Sequence, residues 1–210
     1  MKDRAFSVWN SAIDLIALGA LTLIISIPVV TICPAVTALY YSVAKSVRRG
    51  RGGPYREYFR SFKENILQGI GLSVILALFC AVGFFAAVYI VNQPQSETVD
   101  FFYRATFFFA VLVAFIILAF ACPVLSRFRF KTAQILLFSL RVALRFPLRT
   151  LGMLALWGAL GAACWFFPPA LILAPGLGTF VSTFLLDPAF RHYMPERGEF
   201  DEGTDTWYLE

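Results

Sequence analysis

Hydrophobic runs long enough to cross a lipid bilayer alternate in this chain with two blocks of basic residues, and few folds survive that constraint. The first block is Lys45, Arg48, Arg49, Arg51, Arg56, Arg60 and Lys63; the second is Arg127, Arg129, Lys131, Arg141, Arg145 and Arg149. Together they hold 13 of the 18 lysines and arginines. Between the apolar runs at 66–91 and 105–126 stands Arg104 alone. In polytopic proteins Lys and Arg are retained on the cytoplasmic side, so the blocks predict an orientation as well as a location.

Composition agrees. Of 210 residues, 59% are hydrophobic and 15% charged, against roughly 45–50% and about 25% in a soluble domain. The expected fold class is therefore all-α, a polytopic membrane protein with about five transmembrane helices. The net charge of +5 suits an anionic inner leaflet. No motif accompanies it that would read nucleic acid, so the bilayer is the expected partner and nucleic acid is not.

Five spans are predicted, at about 9–27, 66–91, 106–125, 151–167 and 171–186. The last two are short against the roughly 20 residues a crossing needs, which suggests a hairpin over a thin region. Residues 1–195 form one domain in this reading, and 196–210 an acidic, disordered tail. Five crossings put the C-terminus in the cytoplasm and the N-terminus outside. A competing arrangement folds 12–44 back on itself at Pro28 to Pro34 and keeps the N-terminus inside. The apolar run 15–32 exceeds the h-region of about 7–15 residues typical of a cleaved leader, so it is expected to be retained.

Several features single out residues. Pro28, Pro34 and Pro123 interrupt apolar runs and are hinge candidates. Tyr55, Tyr58, Phe59, Phe62 and Ile66 share one helical face, with Arg56, Glu57, Arg60, Lys63 and Glu64 mostly on the other. In the second block Ala133, Leu136, Leu137, Leu140 and Leu144 form an apolar stripe, with Arg141 and Arg145 away from it. Both patterns predict amphipathic helices in the inner interface. Arg56, Arg60, Lys63, Arg127, Arg141 and Arg145 then become candidates for partner docking. Gly69, Ser73 and Ala77 recur every fourth residue, as do Gly158 and Ala162, a spacing that lets helices approach closely in lipid. The expected neighbour is another helix of the same chain, with a homo-oligomer left open.

The chemistry that is missing narrows function. The interiors of the predicted spans carry no ionisable side chain other than cysteine and tyrosine, whereas ion-coupled carriers usually place charges at depth. Asp14 is the one candidate functional charge; Asp187, with Arg191 one turn on, reads as a helix-end device. No Ser–His or Cys–His pairing, metal-ligand spacing or Walker loop is present. No catalytic, cofactor or metal site is therefore expected, and the chain reads as non-enzymatic. The cysteines Cys33, Cys80, Cys122 and Cys164 read as packing residues.

The motif Ser26-Ile27-Pro28, followed by Thr31-Ile32-Cys33-Pro34-Ala35 and Ala38-Leu39-Tyr40, resembles the first signature of the YesL-type membrane proteins of Gram-positive bacteria. Phe59, Phe62, Lys63 and Asn65 are similar to that family's Phe-x-x-Phe-Lys-x-Asn element. Pro123, Arg127 and Phe128 resemble its Pro-x-x-x-Arg-Phe element, and Asp187, Pro188 and Phe190 its closing Asp-Pro-x-Phe. Cys33 stands where the family usually has glycine. Members are commonly encoded beside carbohydrate-uptake systems, so the resemblance implies a plasma-membrane accessory or regulatory subunit of a carbohydrate ABC importer. Its partners would be the permease subunits and solute-binding protein. A stand-alone small permease or channel, or a membrane-bound regulator of sugar utilisation, are the alternatives.

Overall fold

A computed structural model describes residues 2–92, 97–128, 131–191 and 193; of Lys2–Asn10, 91–92, 97–98 and Arg191 only the backbone is described. The tail 196–210 and Arg129 lie outside the described residues. The described chain is helical, with no strand: α1 (Lys2–Ile25), α2 (Ile32–Ser42), α3 (Pro54–Asn92), α4 (Glu97–Ile116), α5 (Cys122–Leu125), α6 (Thr132–Arg145), α7 (Pro147–Phe166) and α8 (Ala170–Arg191). Five stretches are long and apolar enough to cross a membrane: Val29–Val47, Pro54–Ile90, Val99–Leu125, Pro147–Phe166 and Ala170–Phe190. In hydrocarbon every backbone polar group must be paired within its own segment, which a helix achieves. The molecule is an all-α polytopic membrane protein.

The count of five agrees with the sequence reading, but the first span differs. Crossing length belongs to Val29–Val47, and Ser11–Ile25 is a shorter apolar helix. The chain folds back between them. Helix α1 ends at Ile25, Pro28 starts the reversal, and a 3-10 turn (Val29–Thr31) leads into α2. The Thr31 hydroxyl closes the turn, donating to the carbonyls of Ile25 and, at 2.7 Å, Pro28. Leu15 and Leu18 of α1 then pack with Ala38, Leu39 and Val43. This antiparallel hairpin follows the folded-back path for 12–44. It places Leu15 and Val43 at the same end of the bundle as Pro54, the end that holds the basic blocks; we call it the basic end.

Helices α7 and α8 are not short. Pro147 supplies the first turn of α7, where its missing N–H costs nothing, and α8 continues through Asp187 and Pro188 to Arg191. Helix α3 is one unbroken element of 39 residues, about 58 Å long at 1.5 Å per residue. That exceeds a hydrocarbon core of about 30 Å. Its first turns continue the span rather than forming a separate helix flat in the interface.

Two π-turns interrupt the regular ladder, at Val43–Val47 and Ile117–Ala121. In the first, the Arg48 N–H reaches back five residues to Val43 at 3.0 Å. In the second, the wider turn accommodates Pro123, whose ring would crowd the carbonyl four residues earlier in an α-helix. The main core joins these two regions: Cys33, Tyr40, Leu72, Ile117, Phe120, Cys122, Ile135, Met153, Leu186 and Phe190 pack as one cluster.

Candidate functional site

At the basic end, three arginines from two distant segments converge on one carboxylate. Arg48 and Arg49 follow the first π-turn, Arg127 follows α5, and Asp187 lies one turn from the end of α8. The Arg48 Nη1 is 2.6 Å from Asp187 Oδ2, and Arg49 Nη2 is 3.1 Å from the same oxygen. Arg127 Nη2 binds Asp187 Oδ1. The side chains of Arg127 and Asp187 are 0% and 2% exposed, whereas Arg49 and Arg48 reach 13% and 22%. The site thus has a closed floor and a partly open rim.

Local structure explains the convergence. Pro188 lacks an N–H, so the Phe184 carbonyl, one turn back in α8, has no donor at that position. Arg48 inserts there, donating from Nη1 to the Thr183 carbonyl at 2.9 Å while its guanidinium lies 4.3 Å from the Phe184 ring centre. Arg127 lies against the rings of Tyr40 and Phe190, at 5.5 and 5.2 Å, and donates to the Tyr40 hydroxyl at 3.5 Å. Guanidinium over an aromatic face is favourable, more so out of water. Nearby, Lys45 and Glu57 form a second buried pair at 3.1 Å, and Lys45 also donates to Tyr41 at 3.1 Å.

Asp187 is therefore the hub of a buried ion cluster, which differs from the helix-end device expected from the sequence. Its partners stand 60 to 139 residues away, beyond the reach of any local pattern. One signal was present: an aspartate inside an apolar run needs a cation, and the basic residues are concentrated in two blocks. Arg127 was expected on a docking surface; burial in this cluster removes it from any surface. Glu57, placed on the polar face, is buried against Lys45 for the same reason, since a carboxylate at this depth must be paired.

The other expected residues fall as follows. Arg56, Arg60, Lys63, Arg141 and Arg145 are exposed; Arg60 pairs with Glu64 at 3.0 Å and Arg145 lies over the Tyr193 ring. On α6 the buried face is Ile135, Ser139, Val142 and Ala143, while Leu137, Leu140 and Leu144 of the expected stripe point outward. Exposed leucines flanked by Arg141 and Arg145 are suited to the bilayer interface. Asp14 is half-buried beside the Tyr55 hydroxyl, and Arg104, at the other end, pairs with Asp100 at 2.7 Å.

Pro28 sits in the reversal before α2, and Pro34 lies within its first turn, where the helix tolerates it. Pro123 follows the second π-turn. Gly69 and Ser73 hold α3 against α2: a Cβ on Gly69 would come 2.8 Å from the Pro34 ring, and the Cys33 N–H donates to Ser73 Oγ at 3.0 Å. Ala77 is half-buried on the same line. Gly158 and Ala162 are exposed, with nothing within 4 Å of a Cβ on Gly158, so this second stripe does not pack inside the chain. A closer approach was missed: Gly19 and Gly176 bring α1 and α8 together, and a Cβ on Gly176 would run into the Leu15 carbonyl. Cys33 and Cys122 adjoin, thiol to thiol, as free cysteines in the core.

The cluster can hold charge and fix segments to one another; among the described residues no three His, Cys, Asp or Glu side chains gather as metal ligands. The class defined by fold and site is a polytopic helical membrane protein with a buried arginine–aspartate hub. Residues 15–87 match the model of a family described as "Protein of unknown function, DUF624". The match takes in Arg48 and Arg49 but stops short of Arg127 and Asp187. No curated protein and no solved structure matches the chain.

Proposed function

We propose that the chain is a non-enzymatic accessory subunit of a carbohydrate ABC importer in the bacterial plasma membrane, contacting the permease through its transmembrane helices. The observation that carries this reading is helix α7. It is long and apolar enough to cross a membrane, yet Met153 is its one fully buried residue. Ala155, Gly158, Ala159 and Ala162 are exposed on it. Small residues on a lipid-facing surface gain little from lipid but let a second helix approach closely. The similarity of Ser26 to Tyr40 to the YesL-type signature supplies the sugar-import context.

A stand-alone channel is less well supported. The space between α2, α5, α7 and α8, beside Tyr40, Trp157 and Ser182, is about 10 Å³, room for no more than a water molecule, and the larger one between α3 and α4, about 530 Å³ beside Val82, Phe85 and Tyr89, is lined by no charged side chain. The hairpin of α1 and α2 supports an orientation in which α1 crosses as a sixth, less apolar helix beside the five spans, so that both termini lie on the cytoplasmic side, where Lys2 and Arg4 also satisfy the positive-inside rule. Cysteine-accessibility labelling near the N-terminus tests that orientation, and labelling from outside intact cells would reverse it.

The test of the main reading is capture of the native complex. Purification in mild detergent from cells expressing the chain at its natural level should bring down permease and solute-binding subunits. Replacement of Gly158 by valine should lose them while leaving the monomer folded. A lone monomer from wild-type cells would overturn the reading.

A further inference from the structure

We propose that the corner between α6 and α7 binds an anionic phospholipid, with Arg141 and Arg149 meeting the headgroup and a furrow beside Leu137 and Phe138 taking the start of an acyl chain. The inference begins with the carboxylates. No Asp or Glu occurs from residue 101 to 186, so α6, α7 and the turn joining them carry cations only. Elsewhere among the described side chains, Asp14 meets Tyr55, Glu57 meets Lys45, Glu64 meets Arg60, Asp100 meets Arg104, and Asp187 meets the arginine hub. None of these is left for α6. Among the described residues Arg141, exposed on α6, has no carboxylate partner. The Arg149 guanidinium lies 5.0 Å from the Phe146 ring centre, and its Nη1 is buried without an acceptor. A charged donor in that state calls for an acceptor from outside the chain.

Position selects a lipid over a soluble anion. The leucines beside these arginines turn outward: Leu137, Leu144 and Leu148 are 62%, 73% and 82% exposed. Helix α7 begins at Pro147 and is long and apolar enough to cross the bilayer, so its first turn, with Arg149, belongs at the level of the headgroups. Gln134, Leu137, Phe138 and Arg141 line an open furrow of about 250 Å³. Its wall is apolar along Leu137 and Phe138 and polar where Gln134 and Arg141 border it. An apolar wall with a cationic rim matches the junction between a headgroup and its acyl chain. Anionic headgroups attract basic side chains at this depth.

The full-length protein in a neutral maltoside detergent provides the test, with phosphatidylglycerol as the anionic probe and phosphatidylcholine as the zwitterionic control. Native mass spectrometry reads the lipid retained, and thermal unfolding in nanodiscs of the two compositions reads stabilisation. Preferential retention of phosphatidylglycerol and a higher unfolding temperature with it are expected, both weakening as salt is raised. Arg141→Gln and Arg149→Gln should each lower the preference about fivefold, and Arg104→Gln at the opposite end should leave it intact. Arg141 is exposed, so its variants keep the fold; Arg141→Lys, which keeps the charge, should retain most of the preference. The acidic tail is the competing occupant. If a preference emerges only when the six carboxylates of 196–210 are replaced by amides in the full chain, the arginines hold the tail and the proposal fails. Equal retention of the two lipids by the wild type, or an unchanged preference in the folded Arg141→Gln variant, would also overturn it.

Discussion

Two segments of equal mean hydropathy meet opposite fates in this protein. Val29–Val47 and Pro147–Phe166 both score 1.2, yet 67% of the first is buried inside the protein and only 6% of the second. In water such a difference would be unsustainable. In a bilayer it is not, because lipid tails are as apolar as a leucine side chain and hydrophobicity alone does not choose between lipid and protein. What distinguishes the two is what their small and polar residues find. Around α2, Gly69 receives Pro34, Ser73 receives the Cys33 N–H, and the π-turn delivers Arg48 and Arg49 to Asp187. Along α7 the small residues face outward.

The hub is the most sensitive place to break this contrast. Asp187→Asn leaves three guanidiniums clustered without their carboxylate and should cost about 3–5 kcal/mol, the usual penalty for breaking a buried ion cluster. Thermal unfolding in detergent measures it; a loss no larger than that of a surface variant would show that the cluster does not hold α8 to α2. Glu57→Gln, which removes the carboxylate paired with Lys45 and leaves it the Tyr41 hydroxyl, should be destabilising in the same direction by a smaller amount.

Overpacking separates the two segments directly. Gly69→Val drives a side chain into the Pro34 ring and should destabilise by about 1–3 kcal/mol. Gly158→Val, with open space around it, should leave the isolated chain within about 0.5 kcal/mol of wild type. If both cost the same in unfolding measurements, α7 is packed in the monomer and the contrast fails. Ser73→Ala removes the acceptor for the buried Cys33 N–H and should cost about 1–3 kcal/mol if the N–H is left unsatisfied. As small as the Gly158 effect, Arg60→Gln breaks a half-exposed pair one helical turn apart and should change stability by about 0.5 kcal/mol or less.

Much of this was legible in the sequence, for identifiable reasons. Crossing helices show in composition because lipid tolerates little else, and the break at Pro28 shows because proline fixes its own backbone angle. Gly69 and Ser73 announced themselves by spacing. The orientation of α6 did not: Leu137, Leu140 and Leu144 are as apolar as its buried Ile135 and Val142, and a helix between core and bilayer can be greasy on both sides. The Asp187 hub escaped because its partners are set by tertiary folding, while Arg191 offered a plausible local partner. Gly19 and Gly176 belong to no repeat within either helix, so their meeting could not be read from one strand of sequence.

The two π-turns carry a consequence of phase. Each inserts one residue beyond the α-helical count shortly before an arginine of the hub. Adding or removing a residue rotates everything that follows by roughly 100° about the helix axis. Deleting a single residue from Ile117–Ala121 would restore a regular screw and swing Arg127 by more than a quarter turn from the direction of Asp187. The guanidinium's address is thus written in the number of residues that precede it as much as in its own identity.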